Sequence, residues 1–313
     1  MKATFFTYMV RQAAIDPNLY LVTGDLGFPF AQEFEQKFPE RFINAGIAEQ
    51  NMIGVAAGLA MAGKNVYVYS IIPFLTMRCF EQIRIDLCYQ KLPVKLIGAG
   101  GGFVYGAEGA THHAIEDIAI MRSVPNMTVV APATQYELGT LLPQIDTCQC
   151  PVFVRLSNKE ELLPITNYTL SLGSIADLVS HQEHYIMATG NALDLGYQVQ
   201  QILSQKGVNF GLASVHTIKP LDHNFFSAKS LRSVFTIEEH SVIGGLGQAV
   251  AHLLCEKGSP ITFQAFGIPD CYEHECGSRN ELKQLYGLTP DRIASAIMQR
   301  FSYEPQKFMH SSR

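Results

Sequence analysis

Residues 43–63 read INAGIAEQNMIGVAAGLAMAG, and they place one carboxylate, Glu49, in the first turn of a helix made almost wholly of small and apolar residues. A charge in such surroundings is costly unless it is paired or hydrogen-bonded, and the helix dipole eases an anion at a first-turn position. Taken alone, a glutamate there is equally compatible with a solvated or capping role. Its setting argues for more. Ile53, Ala56, Ala57 and Ala60 recur at helical spacing, and with Gly54 and Gly58 they are expected to form a thin surface that another helix can approach closely. The carboxylate is then expected at the mouth of a helix–helix contact, within reach of a ligand or a second subunit.

Outward from this helix, strands and helices alternate. A helix at 4–14, a strand at 19–23 and a loop through Gly24, Gly27 and Pro29 precede it, and Gly63 ends it in the C-terminal glycine position. Next come a strand at 66–70, a long helix at 76–90 and a strand at 93–97 that runs into GAGGGFVYG. Thr111 is expected to open a helix through Arg122, followed by a strand at 127–131. Thr134 and Glu137 mark a capping box, and a strand at 151–156 closes the unit. Continuous apolar strands alternating with helices predict an α/β fold with a mostly parallel sheet covered on both faces. Residues 159–183 are polar and turn-rich and are expected to connect a first domain, 1–158, to a second, 184–313. That second unit repeats the alternation, with strands near 184–189, 208–215, 233–237 and 261–266. Helices at 191–205, 222–229, 245–257 and from Pro290 separate them, and 304–313 read as a tail.

Composition narrows the function classes. The chain has 313 residues, 47% of them hydrophobic, enough for two ordinary cores. A net charge of −5 leaves no basic footprint for nucleic acid. No apolar run approaches a membrane span, and MKATFFTYMVRQ lacks the apolar core of a signal peptide. Seven cysteines without a framework spacing suit reduced thiols and a cytoplasmic location. Cys271 and Cys276 flank His274 in no standard zinc spacing, so no metal site is expected there. GAGGGF and GGLGQAV fit neither the dinucleotide fingerprint nor the P-loop and are read as tight turns or close backbone approaches. His112, His113, Glu116 and Asp117 are a further constellation. Neighbouring residues on a helix point about 100° apart, so one pocket is expected to use only one of the two histidines.

RFINAGIAEQNMIGVAAGLAMAG resembles the pyrimidine-binding motif of transketolase-type thiamine diphosphate enzymes. TGDLG at 23–27, PFLTMRCFEQIRIDLC at 73–88, GAEGATHHAIEDIAIMRSVPNMTVVAPA at 106–133, VHTIKPLD at 215–222 and EEHSVIGGLGQAVA at 238–251 follow in family order. The resemblance covers nearly the whole chain and implies a pyrimidine-binding domain, a linker and a transketolase C-terminal-type domain. The family's GDG…Asn motif, which holds the diphosphate and magnesium, is missing from the sequence. The resemblance therefore implies a partner: a separate N-terminal-half subunit carrying that motif, in a heterotetramer of two copies of each chain, with thiamine diphosphate and Mg2+ shared between them. No metal ligand is expected on this chain.

The same resemblance implies roles. Glu49 would meet the pyrimidine N1′ and favour the tautomer whose 4′-imino group takes the proton from thiazolium C2, a task suited to a desolvated carboxylate. Leu26 would wedge under the bent cofactor with Asp25 nearby, and Phe74, Met77 and Phe80 would line the pyrimidine pocket, although the same spacing describes an ordinary amphipathic helix face. His112 would reach the reactive carbon and substrate, Glu108 would stand where the family has a substrate-binding aspartate, and His113 would be structural. The usual sugar-phosphate contacts fall on Pro29, Gly100 and Asn158, or on Gly101 and Asn158 by comparison with deoxyxylulose-phosphate synthases. None is a cation, and Lys159 or Arg155 would have to substitute. The implied activity is transfer of a two-carbon ketol unit, on a substrate held without those contacts and expected to lack a terminal phosphate. The alternatives are the beta subunit of a 2-oxo acid dehydrogenase or decarboxylase and a non-catalytic structural or regulatory subunit.

Overall fold

The structure, a computed structural model, describes residues 1–157, 164–165, 168–258 and 260–301. Asn158, Lys159, the first part of the expected connection and the tail at 304–313 lie outside the described residues. The first unit runs α1 (Lys2–Ile15), β1 (Leu19–Thr23), α2 (Gln32–Lys37), β2 (Phe42–Asn44), α3 (Glu49–Met61) and β3 (Asn65–Ile71). It continues through α4 (Ile72–Thr76), α5 (Phe80–Gln82), β4 (Lys95–Ala99), α6 (Asp117–Ser123), β5 (Thr128–Val130), α7 (Gln135–Asp146) and β6 (Val152–Leu156). After it come β7 (Ala176–Val179), β8 (His184–Ala188), α8 (Leu193–Gln205), β9 (Gly211–Ser214), β10 (Thr217–Lys219) and α9 (His223–Ser227). Last are β11 (Ser233–Ser241), α10 (Leu246–Glu256), β12 (Thr262–Ile268), α11 (Arg279–Leu285) and α12 (Pro290–Phe301).

Two sheets form, in the order β10-β5-β6-β4-β3-β1-β2 and β12-β11-β8-β9-β7. All pairings are parallel except those of the edge strands β10 and β7. The alternating α/β pattern is thus the one the apolar strands predict, and the core strands β4 and β6 are buried at every residue. The first sheet buries Met52, Ile53, Ala56 and Ala57 of α3 with Ile72, Ile118 and Met121 on one face. Phe5, Phe6 and Met9 of α1 pack with Leu138, Leu141 and Leu142 of α7 on the other. In the second sheet, α8 and α12 share one face, and α9 and α10 cover the other.

Local departures from expectation have local causes. Residues 176–179, expected in the connection, pair as an edge strand with β9. Residues 217–219 cross back to the first sheet and pair antiparallel with β5, so the chain after 184 is not confined to the second sheet. The helix expected at 76–90 is broken: α4 and α5 are followed by a π-helical run, Ile83–Tyr89, that turns Ile83, Leu87 and Cys88 into the core. No helix opens at Thr111; α6 starts at Asp117, and residues 102–114 form a loop closed at its neck by a Gly102–Ala114 bridge. The thin helix surface also divides. Ile53, Ala56 and Ala57 pack on the chain's own sheet, whereas Gly54 and Gly58 face outward beside exposed Met61. Gly63 does end α3, in a left-handed conformation (φ 78°), while its N–H donates to Ala60 O and that of Lys64 to Leu59 O. Among the described residues, no helix is long and apolar enough to cross a membrane.

Candidate active site

Strand order reverses between β1 and β3: the chain leaves β1 for β2 on one side, then returns to add β3 and β4 on the other. In parallel α/β sheets, the crevice beyond the carboxyl ends of strands at such a switch point is where ligands bind. The segments leaving these strands carry the expected site residues. Asp25 and Leu26 follow β1, Glu49 follows β2, Phe74, Met77 and Phe80 follow β3, and Glu108 and His112 follow β4.

Glu49 opens α3 with only 3% of its surface exposed. Its Oε2 accepts a 2.8 Å bond from Arg78 Nη1, and the partly exposed Arg78 guanidinium lies 4.3 Å from the centre of the Phe74 ring. Gln50 Nε2 donates to Arg78 O (3.1 Å), fixing the chain that presents the guanidinium. The carboxylate is therefore neither solvated nor a simple cap; it is buried and ion-paired beyond the carboxyl end of β2, next to the switch point. The Phe74 ring in turn meets His112 edge-on at 5.0 Å. Thr111 Oγ1 lies 3.0 Å from His112 Nδ1, and no partner among the described residues takes Nε2. A continuous line thus runs Glu49–Arg78–Phe74–His112.

The remaining expected residues are placed less directly. Asp25 is exposed in a left-handed conformation (φ 58°), locked by reciprocal 2.9 Å bonds with Asn44. Leu26 packs against the α1–α7 side of the sheet. Phe74 and Phe80 are half-buried and Met77 is 37% exposed, so this wall keeps apolar surface open to the crevice. Glu108 is exposed on a single 3₁₀ turn. His113 is buried, its Nε2 donating to Gly106 O (3.2 Å) and its ring 5.1 Å from Phe103. The two histidines therefore differ in burial through loop geometry, not through helix phase. Cys271 Sγ donates to Tyr286 Oη (3.6 Å), while Cys276 Sγ lies against Gly109. Among the described residues, no three His, Cys, Asp or Glu side chains gather to hold a metal.

Sequence reading missed Arg78, Tyr105 and Lys2. Arg78 stands one helical turn after Phe74 in PFLTMRCF, and that spacing was the available signal. Tyr105 fills the space over Gly100, where any Cβ would come within 2.2 Å of its ring and where the backbone is left-handed (φ 95°). Its hydroxyl accepts from Lys2 Nζ (3.0 Å), its ring centre is 6.3 Å from that of His112, and no carboxylate among the described residues pairs with Lys2. Arg155, weighed as a substitute phosphate cation, is instead buried and committed. Its Nε donates to Asp117 Oδ2 (2.8 Å), and its Nη2 donates to Ala114 O and Glu239 O. It cannot reach a ligand without breaking a buried ion pair.

Comparison with known proteins agrees over nearly the full length. The sequence profile of the transketolase pyrimidine-binding domain matches residues 2–162, and that of the transketolase C-terminal domain matches 175–293. A putative transketolase C-terminal section from Methanocaldococcus jannaschii is 38% identical over 92% of this chain and 92% of its own length. One of the subunits of an apulose-4-phosphate transketolase from Actinobacillus succinogenes is 35% identical over 85% of this chain and 86% of its own length. Among solved structures, a split-gene transketolase described as an inactive beta4 tetramer superposes with a TM-score of 0.86 at 31% identity, covering 96% of this chain and 97% of that one.

Proposed function

The chain belongs to the transketolase family, spanning its pyrimidine-binding and C-terminal domains, and on that premise we propose that it is the pyrimidine-binding subunit of a two-chain enzyme transferring a two-carbon ketol unit between sugars. The observation that carries this reading is Glu49: a buried carboxylate at a switch-point crevice, beside an apolar wall that is still open. A buried carboxylate beside partly exposed Phe74, Met77 and Phe80 fits the pyrimidine end of thiamine diphosphate, which these residues, with Leu26 and Asp25, would hold. When bound, that cofactor supplies the carbanion chemistry that side chains lack. Glu49 holds a proton at the ring N1′, and Arg78, partly exposed, is the group that a seated ring displaces or shares. His112, through Nε2, and Glu108 orient the substrate's oxygens. Lys2, steadied by Tyr105, offers a cation to an anionic end of the sugar.

The diphosphate and Mg2+ fall to a separate N-terminal-half chain carrying the GDG…Asn motif, in a heterotetramer. Two similar proteins, each covered over most of its own length, support a partner: one is described as a subunit of a transketolase and the other as an inactive assembly of one chain type. Seven free thiols suit the cytoplasm.

The test is Glu49→Gln. The amide keeps the shape and the bond to Arg78 but cannot hold the N1′ proton as a carboxylate does. Hydrogen–deuterium exchange at thiazolium C2 in the assembled pair should slow by about a hundredfold or more, with assembly retained. Exchange at the wild-type rate would remove Glu49 from the chemistry.

A further inference from the structure

The loop that carries Glu108 and His112 is held by its neck, and the holding groups come from the second sheet and its flanking segments. The Gly102–Ala114 bridge closes the neck with bonds of 2.9 and 3.0 Å. Directly beside it, the N–H of Phe103 donates to Glu239 Oε1 (2.8 Å), and Asn191 Nδ2 donates to Gly101 O (3.0 Å). Glu239 lies near the end of β11, a strand buried at every residue, with 1% of its side chain exposed, and Arg279, which opens α11, grips its carboxylate. Arg279 Nε lies 3.1 and 2.9 Å from the two carboxylate oxygens, and Nη2 lies 2.8 Å from Oε2. The same Nη2 donates to Asn191 O (2.8 Å), so the three residues form one buried unit. The fit is tight: a Cβ on Gly102 would come within 2.3 Å of Glu239 Oε1. Farther along the loop, Gly106 lies under Gly277 O and Leu282, and Gly109 lies against Cys276. Phe103 stacks on Tyr286 at 5.8 Å with nearly parallel rings.

Resting on the functional reading above, we propose that the Glu239–Arg279 pair is a positioning device: it sets the neck of the 102–114 loop, and through it the aim of His112, so that the C-terminal-type domain controls substrate engagement without touching substrate. The bonds that hold the pair run to Phe103 and Asn191, away from the Glu49–Arg78 ion pair, and the proposal requires cofactor activation and substrate engagement to be separable. A charge-assisted, bidentate arrangement fixes orientation as well as distance, and small displacements of a reacting group cost large factors in rate.

Two variants test this in the chain paired with its N-terminal-half partner. Glu239→Gln keeps an acceptor for Phe103 N–H and removes the charge that Arg279 grips; Arg279→Lys keeps charge and loses the fork. The expected result is a fall of about tenfold or more in kcat/KM with Glu239→Gln, for whichever of xylulose and xylulose 5-phosphate the wild-type pair prefers as ketose donor. Thiazolium C2 exchange, the Glu49-dependent step, stays at the wild-type rate, and Arg279→Lys is intermediate. A readout free of turnover accompanies it: the imidazole Cε1–H resonance of His112 in this chain alone, assigned through His112→Asn, shifts or broadens in Glu239→Gln. Ketose kinetics and a His112 resonance like wild type in both variants would overturn the proposal, as would equal losses in exchange and ketose turnover. Wild-type pairs without exchange or turnover would defeat the functional reading as well, so the two failures are distinguishable.

Discussion

His216 and His240 are buried, the His240 ring 3.8 Å from the Glu238 carboxylate, and burial pushes each imidazole down to about 4. His240 is fixed as the neutral form: Nδ1 donates to Ser241 O (2.8 Å), and Nε2 accepts from Ala119 N (3.3 Å). Each histidine binds its proton more readily unfolded, near 6.5, than folded. The stability tied to the neutral ring is therefore complete above about pH 6.5 and is lost as pH falls through 4. Glu238 works in the opposite sense. Burial raises it to about 7 despite bonds from Leu246 and Gly247 N–H, so its share is present at acid pH and lost as pH rises through 7. His216→Gln removes one titration, and its loss of unfolding free energy between pH 7.5 and 4.5 should be smaller than wild type by roughly 2–3 kcal/mol. Urea titrations at the two pH values measure it; an unchanged difference would mean that His216 titrates normally. At this scale the sequence disclosed what is local. Glu49 and His112 stand inside short motifs that single them out where they lie, and the structure sets Glu49 in the first turn of α3 as expected. Arg78 and Lys2 owe their places to partners 29 and 103 residues away, and Arg155 was misjudged because its carboxylate, Asp117, lies 38 residues away.

Helix α3 shows how far periodicity carries at the next scale. Its span, its first-turn carboxylate and its glycine stop follow from propensity and capping. Which of its small residues face inward depends on the sheet beneath, and Gly54 and Gly58 turn out to be the outer pair. A Cβ at either position meets nothing within 4 Å. Gly58→Ala should therefore stabilise the isolated chain by about 0.5–1 kcal/mol, since glycine in a helix costs that much relative to alanine. If a partner helix packs on this face, the same methyl should weaken assembly. Thermal unfolding of the chain alone and sedimentation of the assembled pair read the two effects, and stabilisation in both would argue that the face is free. The helix expected from Thr111 failed for a related reason. Its polar start and apolar continuation suit a helix, but the Gly102–Ala114 bridge and the bonds from Arg155 to Ala114 O and from Ser241 N–H to Ile115 O claim the backbone first. Nothing in the local pattern records a bond from the far end of β11.

Across the molecule, both parallel sheets were legible from alternating apolar strands, while the edges were not. Strands β7 and β10 are short, antiparallel and set by tertiary pairing, and β10 belongs to the first sheet although it follows β9 of the second. The two units are bound further by Arg155, whose guanidinium joins Asp117 and Ala114 of one to Glu239 of the other. On the proposed reading this scaffold supplies one part of a site: a buried carboxylate, Glu49, beside Phe74, with His112 and Lys2 nearby. The central claim is that a second chain completes it. Its most direct test is ketol transfer measured with thiamine diphosphate and Mg2+ for this chain, for its N-terminal-half partner, and for mixtures of the two at varied ratio. The account predicts no turnover from either chain alone and activity that rises with added partner to a plateau at equal amounts. Turnover by this chain in the absence of any partner would contradict it.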